Sequence, residues 1–361
     1  MDISRKWVAK AVCKINADFN RSSDTHLFRL DIPGLPGIPL YLKDESIHPT
    51  GSLKHRLARS LFLYAICNGW IGPKTTIIEA SSGSTAVSEA YFARLLELPF
   101  IAVIPKHTSH KKIVQIKFYG GEVHLVDDPA ALHDESVKLA QKTGGHFMDQ
   151  FTYAERVTDW RGSNNIADAI FDQMECEEHP IPTWIVCGAG TGGTSATIGR
   201  FTRYRGYDTR LCVVDPENSV FYDYFQSHDK SVTSSIGSQV EGIGRPQVEP
   251  SFIANVVDEM IRIPDAGSYA ALRYLEKVFG RKFGGSTGTN LYGAAQIMAR
   301  MKRAGKTGSV VTLICDPGDR YLDTYYDDSW LAKNGYDIGP YQKQLDHFHT
   351  TGEWLDEQVC F

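Results

Sequence analysis

Three short segments bring together residue types that chemistry uses, each where an apolar run gives way to a helix-period stretch. The first is Cys187-Gly188-Ala189-Gly190-Thr191-Gly192-Gly193-Thr194. Glycines let the backbone turn tightly and expose successive N–H groups, and the positive end of the following helix adds to them. Such a loop holds a phosphate without any cationic side chain. No lysine follows as in G-x-x-x-x-G-K-[ST], which excludes a nucleoside-triphosphate P-loop. Gly188, Gly190 and Gly193 also match G-x-G-x-x-G, and Asp215 ends the next strand 22 residues after Gly193. That is the dinucleotide fingerprint in its usual context. The plain alternative is a glycine-rich turn with no ligand. The segment points to a phosphate and leaves its bearer open.

The second turn, Glu79-Ala80-Ser81-Ser82-Gly83-Ser84-Thr85, again follows a strand and opens a helix. Its hydroxyls and backbone N–H groups suit a carboxylate or another small anion; simple N-capping by Ser82 or Ser84 would use the same residues. The third turn runs through His48-Pro49-Thr50-Gly51-Ser52-Leu53-Lys54-His55-Arg56 and launches a helix with Lys54 in its first turn. The helix dipole disfavours a cation there, so this amine is biased toward its neutral, nucleophilic form, as Schiff-base chemistry requires. Taken alone, Lys54 also reads as an ordinary solvated lysine.

The elements that must position these turns alternate. Strand-length apolar runs lie at 39–42, 76–79, 100–104, 123–126, 184–187, 211–214 and 310–315. Helix-period stretches lie at 84–96, 111–119, 130–142, 195–205 and 290–303. Strand followed by helix, repeated, predicts parallel sheets covered on both faces. Residues 218–246 break the rhythm as a long, polar, Ser/Gly-rich loop carrying Phe221, Tyr222, Tyr224 and Phe225; loops of that length are usually functional or mobile. The last 25 residues read as an appended surface element. Near the start, Trp7, Val8, Ala11, Val12 and Ile15 recur at helical spacing and predict a docked amphipathic helix rather than a secretory signal.

Composition narrows the function classes. The 361 residues imply about two domains. Lys+Arg 38 against Asp+Glu 43 gives a net charge of −5 with no basic stripe, so a nucleic-acid partner is not expected. Apolar runs are far shorter than a membrane span. The seven cysteines (13, 67, 176, 187, 212, 315 and 360) are scattered and form no C-x-x-C pair. They read as buried reduced thiols in a cytoplasmic protein, and no metal site is expected.

In order and context the three turns resemble the cysteine synthase/cystathionine β-synthase family of pyridoxal-phosphate enzymes. The family's N-P-x-G-S-x-K-x-R is matched by His48 to Arg56, its S-G-N-T loop by Ser82-Gly83-Ser84-Thr85, and its G-T-G-G-T cup by Gly190 to Thr194. An E-G-I-G motif stands at Glu241 to Gly244 and a G-x-R-Y-L signature at Gly318 to Leu322, so the likeness covers about residues 35 to 325. The wording around Tyr41 to Glu45, Lys54 to Ser60 and Asp149 to Arg156 is most similar to the bacterial L-cysteine desulfhydrase branch.

The resemblance implies an α/β protein of pyridoxal-phosphate fold type II (tryptophan synthase β-like), with two parallel-type sheet domains and the active site between them. Residues 49–159 would form the smaller domain, and 1–48 plus 160–361 the larger. It further implies that Lys54 forms the Schiff base with pyridoxal 5′-phosphate and then acts as base at Cα. Gly190, Thr191, Gly192, Gly193 and Thr194 would hold the phosphate, with the Gly242 backbone lining the ring. Ser81, Ser82, Gly83 and Thr85 would take the substrate carboxylate, assisted by Gln150. Two positions depart from the pattern. The Asn beside the cofactor 3′-oxygen is here Ser84, which is shorter. The pyridine-facing Ser is replaced in Cys315-Asp316-Pro317-Gly318, where Asp316 either takes over or points to solvent.

The implied activity is β-elimination of L-cysteine through an aminoacrylate to hydrogen sulfide, ammonia and pyruvate, in a homodimer. β-Replacement of the cysteine synthase or cystathionine β-synthase type is the near alternative, with residues 218–246 as a candidate gate. An NAD-dependent dehydrogenase built on Gly188 to Gly193 would leave Lys54 and the serine loop without roles. A non-catalytic sulfur-metabolite sensor would accommodate the Ser84 and Pro317 departures.

Overall fold

The structure is a computed structural model describing residues 4–21, 24–162 and 164–355. In chain order its strands are β1 (His26–Leu30), β2 (Leu40–Asp44), β3 (Ile77–Glu79), β4 (Phe100–Pro105), β5 (Glu122–Val126), β6 (His146–Phe147), β7 (Trp184–Gly188), β8 (Arg210–Pro216), β9 (Glu259–Ile263) and β10 (Val310–Ile314). The chain divides into two compact units, Met1–Asp24 with His48–Asp159, and Thr25–Ile47 with Trp160–Phe361.

The larger unit is built on a six-stranded sheet of order β1-β2-β10-β7-β8-β9. Every pairing is parallel except β1 against β2, so the sheet has one antiparallel edge. All five residues of β2 and of β10 are buried, as strands covered on both faces require. Val310 lies opposite both Leu40 and Trp184 in the register. The partner strands β1 and β9 escape a reading for apolar runs because each has its short apolar stretch broken by an exposed arginine, Arg29 and Arg262.

The smaller unit holds a four-stranded, wholly parallel sheet of order β5-β4-β3-β6. Helices Lys54–Cys67 and Ser84–Leu95 pack on it, with Leu61, Phe62, Ala65, Phe92 and Ala93 in one core. The sequence reading assigned all 48 N-terminal residues to the larger unit. The first 24 belong instead with the smaller one, because helix Arg5–Asn20 buries Ala11 and Ile15 in that core. Trp7, Val8 and Val12 pack against it from the same face, and Tyr91 Oη donates to Asp18 at 2.9 Å.

Three further expectations change. Residues 218–246 are not a plain loop. They contain the helix Phe221–Ser227, stack Phe221 on Phe252 at 4.2 Å, and bury Val240 and Ile243 in the larger core. The last 25 residues are not merely appended: helix Gly339–Thr351 buries Leu345 and Phe348 in that core, and Tyr274 Oη meets His349 Nδ1 at 2.7 Å. Its apolar positions are too few, among His, Asp and Thr, to read as a core face. The thiols are also mixed. Cys187 and Cys212 are buried, Cys315 is half-buried, and Cys13, Cys67 and Cys176 are exposed on helical or turn segments outside the strands. Cys360 lies outside the described residues. No group of side chains suited to a metal ion occurs among the described residues, and none of their helices is long and apolar enough to cross a membrane.

Candidate active site

In the larger unit, β7 ends at Gly188 and the chain turns through Gly192, at φ 88° and ψ −2°, into helix Gly193–Arg205. The first-turn N–H groups of that helix have no partner within it. Thr191 Oγ1 accepts from Gly193 N at 3.4 Å, and Ser195 Oγ donates to Gly192 O at 3.0 Å, fixing the bend. The turn is pressed against its neighbours. A Cβ on Gly190 would lie 2.3 Å from Gly242 O, and one on Gly192 would lie 2.6 Å from Ser251 O. Gly244 N donates to Ala189 O at 2.8 Å, which fastens the E-G-I-G segment to the same turn. Gly190 to Thr194 and Gly242 are therefore brought together.

Asn290 is a positioning residue that the sequence reading passed over. It is fully buried in helix Gly285–Arg303; its Oδ1 accepts from Gly188 N at 2.7 Å and its Nδ2 donates to Leu313 O at 3.0 Å. One side chain thus ties the end of β7 to β10. An amide directly before the small and apolar run Leu291 to Ala295 is the signal the sequence offers for it.

Asp316 does not point to solvent. It is buried, accepts from Tyr321 Oη at 2.7 Å, and its carboxylate lies against Gly284, where a Cβ would be 1.8 Å from Oδ1. Burial raises its carboxyl to about 6, and the Tyr321 hydroxyl partly offsets that. Asp215, the carboxylate of the dinucleotide fingerprint, is also buried. Its Oδ2 accepts from Tyr222 N at 2.8 Å, and burial raises it to about 7. An acid spent on capping the Phe221–Ser227 helix is not presented to a ribose, so the dehydrogenase reading loses its second element.

In the smaller unit Lys54 opens helix Lys54–Cys67 and is half-buried. The turn before it is held by Thr50 Oγ1, which meets Ser88 Oγ at 2.9 Å and His55 Nδ1 at 3.2 Å. The serine loop follows β3. Ser81, Ser82, Gly83 and Ser84 are half-exposed, Gly83 N donates to Ser81 Oγ at 3.2 Å, and helix Ser84–Leu95 begins there. Thr85 is buried and donates to Gln150 Oε1 at 2.7 Å. Gln150 opens helix Gln150–Val157 behind Asp149, whose φ of 47° is one that Asp tolerates better than most residues. Gln150 N and Nε2 donate to Glu79 at 3.3 and 3.4 Å. Thr85 thus links the serine loop to Gln150.

Each donor set fits one part of the expected cofactor. The glycine turn offers backbone N–H groups, two threonine hydroxyls and a helix N-terminus with no competing acid in its first turn, a donor set suited to a phosphate monoester. Lys54 offers a primary amine to an aldehyde, and two residues before it Ser52 Oγ is buried without a partner among the described residues.

Comparison with known proteins agrees. The model of the family described as "Pyridoxal-phosphate dependent enzyme" matches residues 22–316. L-cysteine desulfhydrase Cds1 of Mycobacterium tuberculosis (strain ATCC 25177 / H37Ra) is 55% identical over 356 residues, covering 98% of this chain and 97% of that protein. A cysteine synthase of Dictyostelium discoideum is 27% identical, covering 84% and 81%. Among solved structures, O-ureido-L-serine synthase superposes with a TM-score of 0.74 at 25% identity, covering 85% of this chain and 96% of that one. An O-acetylserine dependent cystathionine β-synthase from Helicobacter pylori does so with a TM-score of 0.72 at 26% identity, covering 90% and 99%. The expected α/β fold type II is thereby shown, and this chain belongs to the family of pyridoxal-phosphate dependent enzymes.

Proposed function

We propose that the chain is an L-cysteine desulfhydrase, converting L-cysteine and water to hydrogen sulfide, ammonia and pyruvate. The observation that carries this reading is the 55% identity, over 98% of the chain, to a protein of that activity. Pyridoxal phosphate, when bound, supplies an electron sink for the charge that develops at the substrate Cα. Gly190, Thr191, Gly192, Gly193 and Thr194 would hold its phosphate through N–H groups and hydroxyls, and the Gly242 backbone would line its ring. Ser84 would serve the 3′-oxygen, and Asp316, steadied by Tyr321, would serve the pyridine nitrogen. Lys54 would hold the aldehyde group through its amine, and its neutral Nζ would take the proton from the substrate Cα. Ser81, Ser82, Gly83, Thr85 and Gln150 orient the substrate carboxylate. The thiolate then departs from Cβ as hydrosulfide and leaves as hydrogen sulfide after taking a proton. A homodimer in the cytoplasm is part of the same reading, the latter in keeping with the free cysteines.

β-Replacement is the second reading, favoured by the likeness to cysteine synthase and to O-ureido-L-serine synthase. Sulfide and pyruvate release from L-cysteine, with and without added O-acetylserine or homocysteine, separates the two. The proposal expects equal sulfide and pyruvate from cysteine alone. Sulfide that appears only with a second substrate would establish replacement instead. Lys54→Ala should abolish turnover and the yellow absorbance of the bound cofactor; full turnover in that variant would overturn the assignment of the base.

A further inference from the structure

Behind the serine loop, two carboxyl side chains with no exposed surface lie close together. Glu79 ends β3 and Glu89 stands in helix Ser84–Leu95; both are fully buried, and the charge of Glu79 acts on Glu89. Neither oxygen of Glu89 receives a hydrogen bond from any donor among the described residues. Two neighbouring ionised carboxylates cannot share such a place, so the pair holds at least one proton. Glu79 also accepts from Gln150 N and Nε2, and Gln150 Oε1 in turn accepts from Thr85 Oγ1. Glu79, the Gln150 amide and Thr85 thus form one chain of hydrogen bonds ending at the serine loop.

We propose that the Glu79–Glu89 pair is a proton-loaded switch that, through the Gln150 side-chain amide, sets whether the Thr85 hydroxyl donates to a carboxylate held by the serine loop. The inference rests on the reading of Ser81 to Thr85 as the carboxylate subsite. With one proton on the pair, Glu79 is an acceptor toward Gln150. The amide then donates to Glu79, and Thr85 donates inward to Gln150 Oε1, which is the arrangement seen. With two protons, Glu89 donates to Glu79 and Glu79 donates to the amide oxygen. The amide, turned end for end in the same volume, donates to Thr85 Oγ1, and the Thr85 hydrogen is released toward the loop.

The surrounding charges place the change near working pH. Burial and the nearby Asp149 raise Glu79 to about 8, while burial and Glu79 hold Glu89 well above the carboxylate range; Lys54 acts on Glu89 in the opposite sense. The adjacent strand β4 contributes no charged side chain. The two acids titrate as a pair, so the first proton lost belongs to both.

The test uses holoenzyme and L-alanine, which has the carboxylate and no leaving group, with binding read from the cofactor absorbance. Glu79→Gln keeps a donor toward the Gln150 oxygen and fixes the loaded arrangement. The ratio of wild-type to Glu79→Gln dissociation constants should be near one below about pH 7. It should rise roughly tenfold to a hundredfold above about pH 9, the loss of one hydrogen bond to a charged acceptor. Taking this ratio cancels titration of the ligand amine. Thr85→Val should bind weakly at every pH. Asp149→Asn, which keeps the helix cap, should move the step to lower pH, an effect that lost packing would not produce. The wild type should also show the infrared band of a protonated carboxyl at neutral pH, reduced in Glu89→Gln. A flat ratio with L-alanine bound, or no such band, overturns the switch. Failure of L-alanine to bind while the band is present overturns the carboxylate subsite itself.

Discussion

Replacing Gly192 by alanine separates backbone conformation from contact in the proposed phosphate seat. Gly192 sits at φ 88°, where an L-residue costs about 1–2 kcal/mol. Its new Cβ would also lie 2.6 Å from Ser251 O and 2.7 Å from Phe252 Cα, both backbone atoms. That backbone has little room to yield, since Ser251 and Phe252 are buried and the Phe252 ring is stacked on Phe221 at 4.2 Å. Overpacking of this kind adds about 1–3 kcal/mol. The expected loss is therefore about 2–5 kcal/mol, out of the 5–15 kcal/mol typical of a folded protein. Two controls divide the sum. Gly242 has φ 89° and nothing within 4 Å of its Cβ position, so Gly242→Ala carries the conformational cost alone, about 1–2 kcal/mol. Gly83 has φ −107° and likewise nothing within 4 Å, so Gly83→Ala should stay within about 0.5 kcal/mol of wild type. Urea unfolding with and without pyridoxal phosphate reads all three. Wild type should gain about 2.7 kcal/mol at a cofactor concentration near 100 times its Kd, and Gly192→Ala clearly less, because its N–H groups have moved. Equal stability of Gly192→Ala and Gly242→Ala would refute the contact argument. An undiminished cofactor gain in Gly192→Ala would refute the seat.

The buried acids also predict a pH dependence of stability. Glu79 is raised from 4.5 to about 8, so its contribution is complete below about pH 4.5 and is lost as pH rises through about 8, with a ceiling near 5 kcal/mol. The difference between wild-type and Glu79→Gln unfolding free energies should therefore fall steadily across that window; a difference that rises with pH would contradict the burial of an acid there. The thiols give a third check. Cys13, Cys67 and Cys176 should react with a thiol reagent in the native protein. Cys187 and Cys212 are buried, with thiols pushed up to about 12 and well above the ordinary value respectively, and should react only on unfolding. Peptide mass mapping separates these groups, and native labelling of Cys212 would show that β8 is not covered.

What the sequence made legible, and what it hid, follows from the range of each interaction. The glycine turn, the serine loop and the Lys54 turn stand out in the sequence because each is a local device: glycines where the chain bends, hydroxyls at a helix start, an amine in a first turn. Strands buried on both faces, such as β2 and β10, announce themselves as unbroken apolar runs, whereas β1 and β9 carry their arginines outward and leave no such mark. Helix Gly339–Thr351 and the segment through Val240 and Ile243 were hidden for a related reason, since a few buried residues among polar ones make a core contact only when a distant helix supplies the other half. Long-range polar partners leave the least trace. Nothing adjacent to Asn290 says that it reaches Gly188 and Leu313, and nothing adjacent to Glu89 says that it meets Glu79. Yet a charged residue such as Glu89, on a helix whose residues from Thr85 to Ala90 are all buried, is costly unless neutralised or paired. Once the helix is known to pack against β3 and β4, that cost requires a proton or a partner. The deepest polar groups among the described residues are therefore those least visible in local sequence and most constrained by the fold, and the hydrogen bonds from Glu79 through Gln150 to Thr85 link one of them to the serine loop.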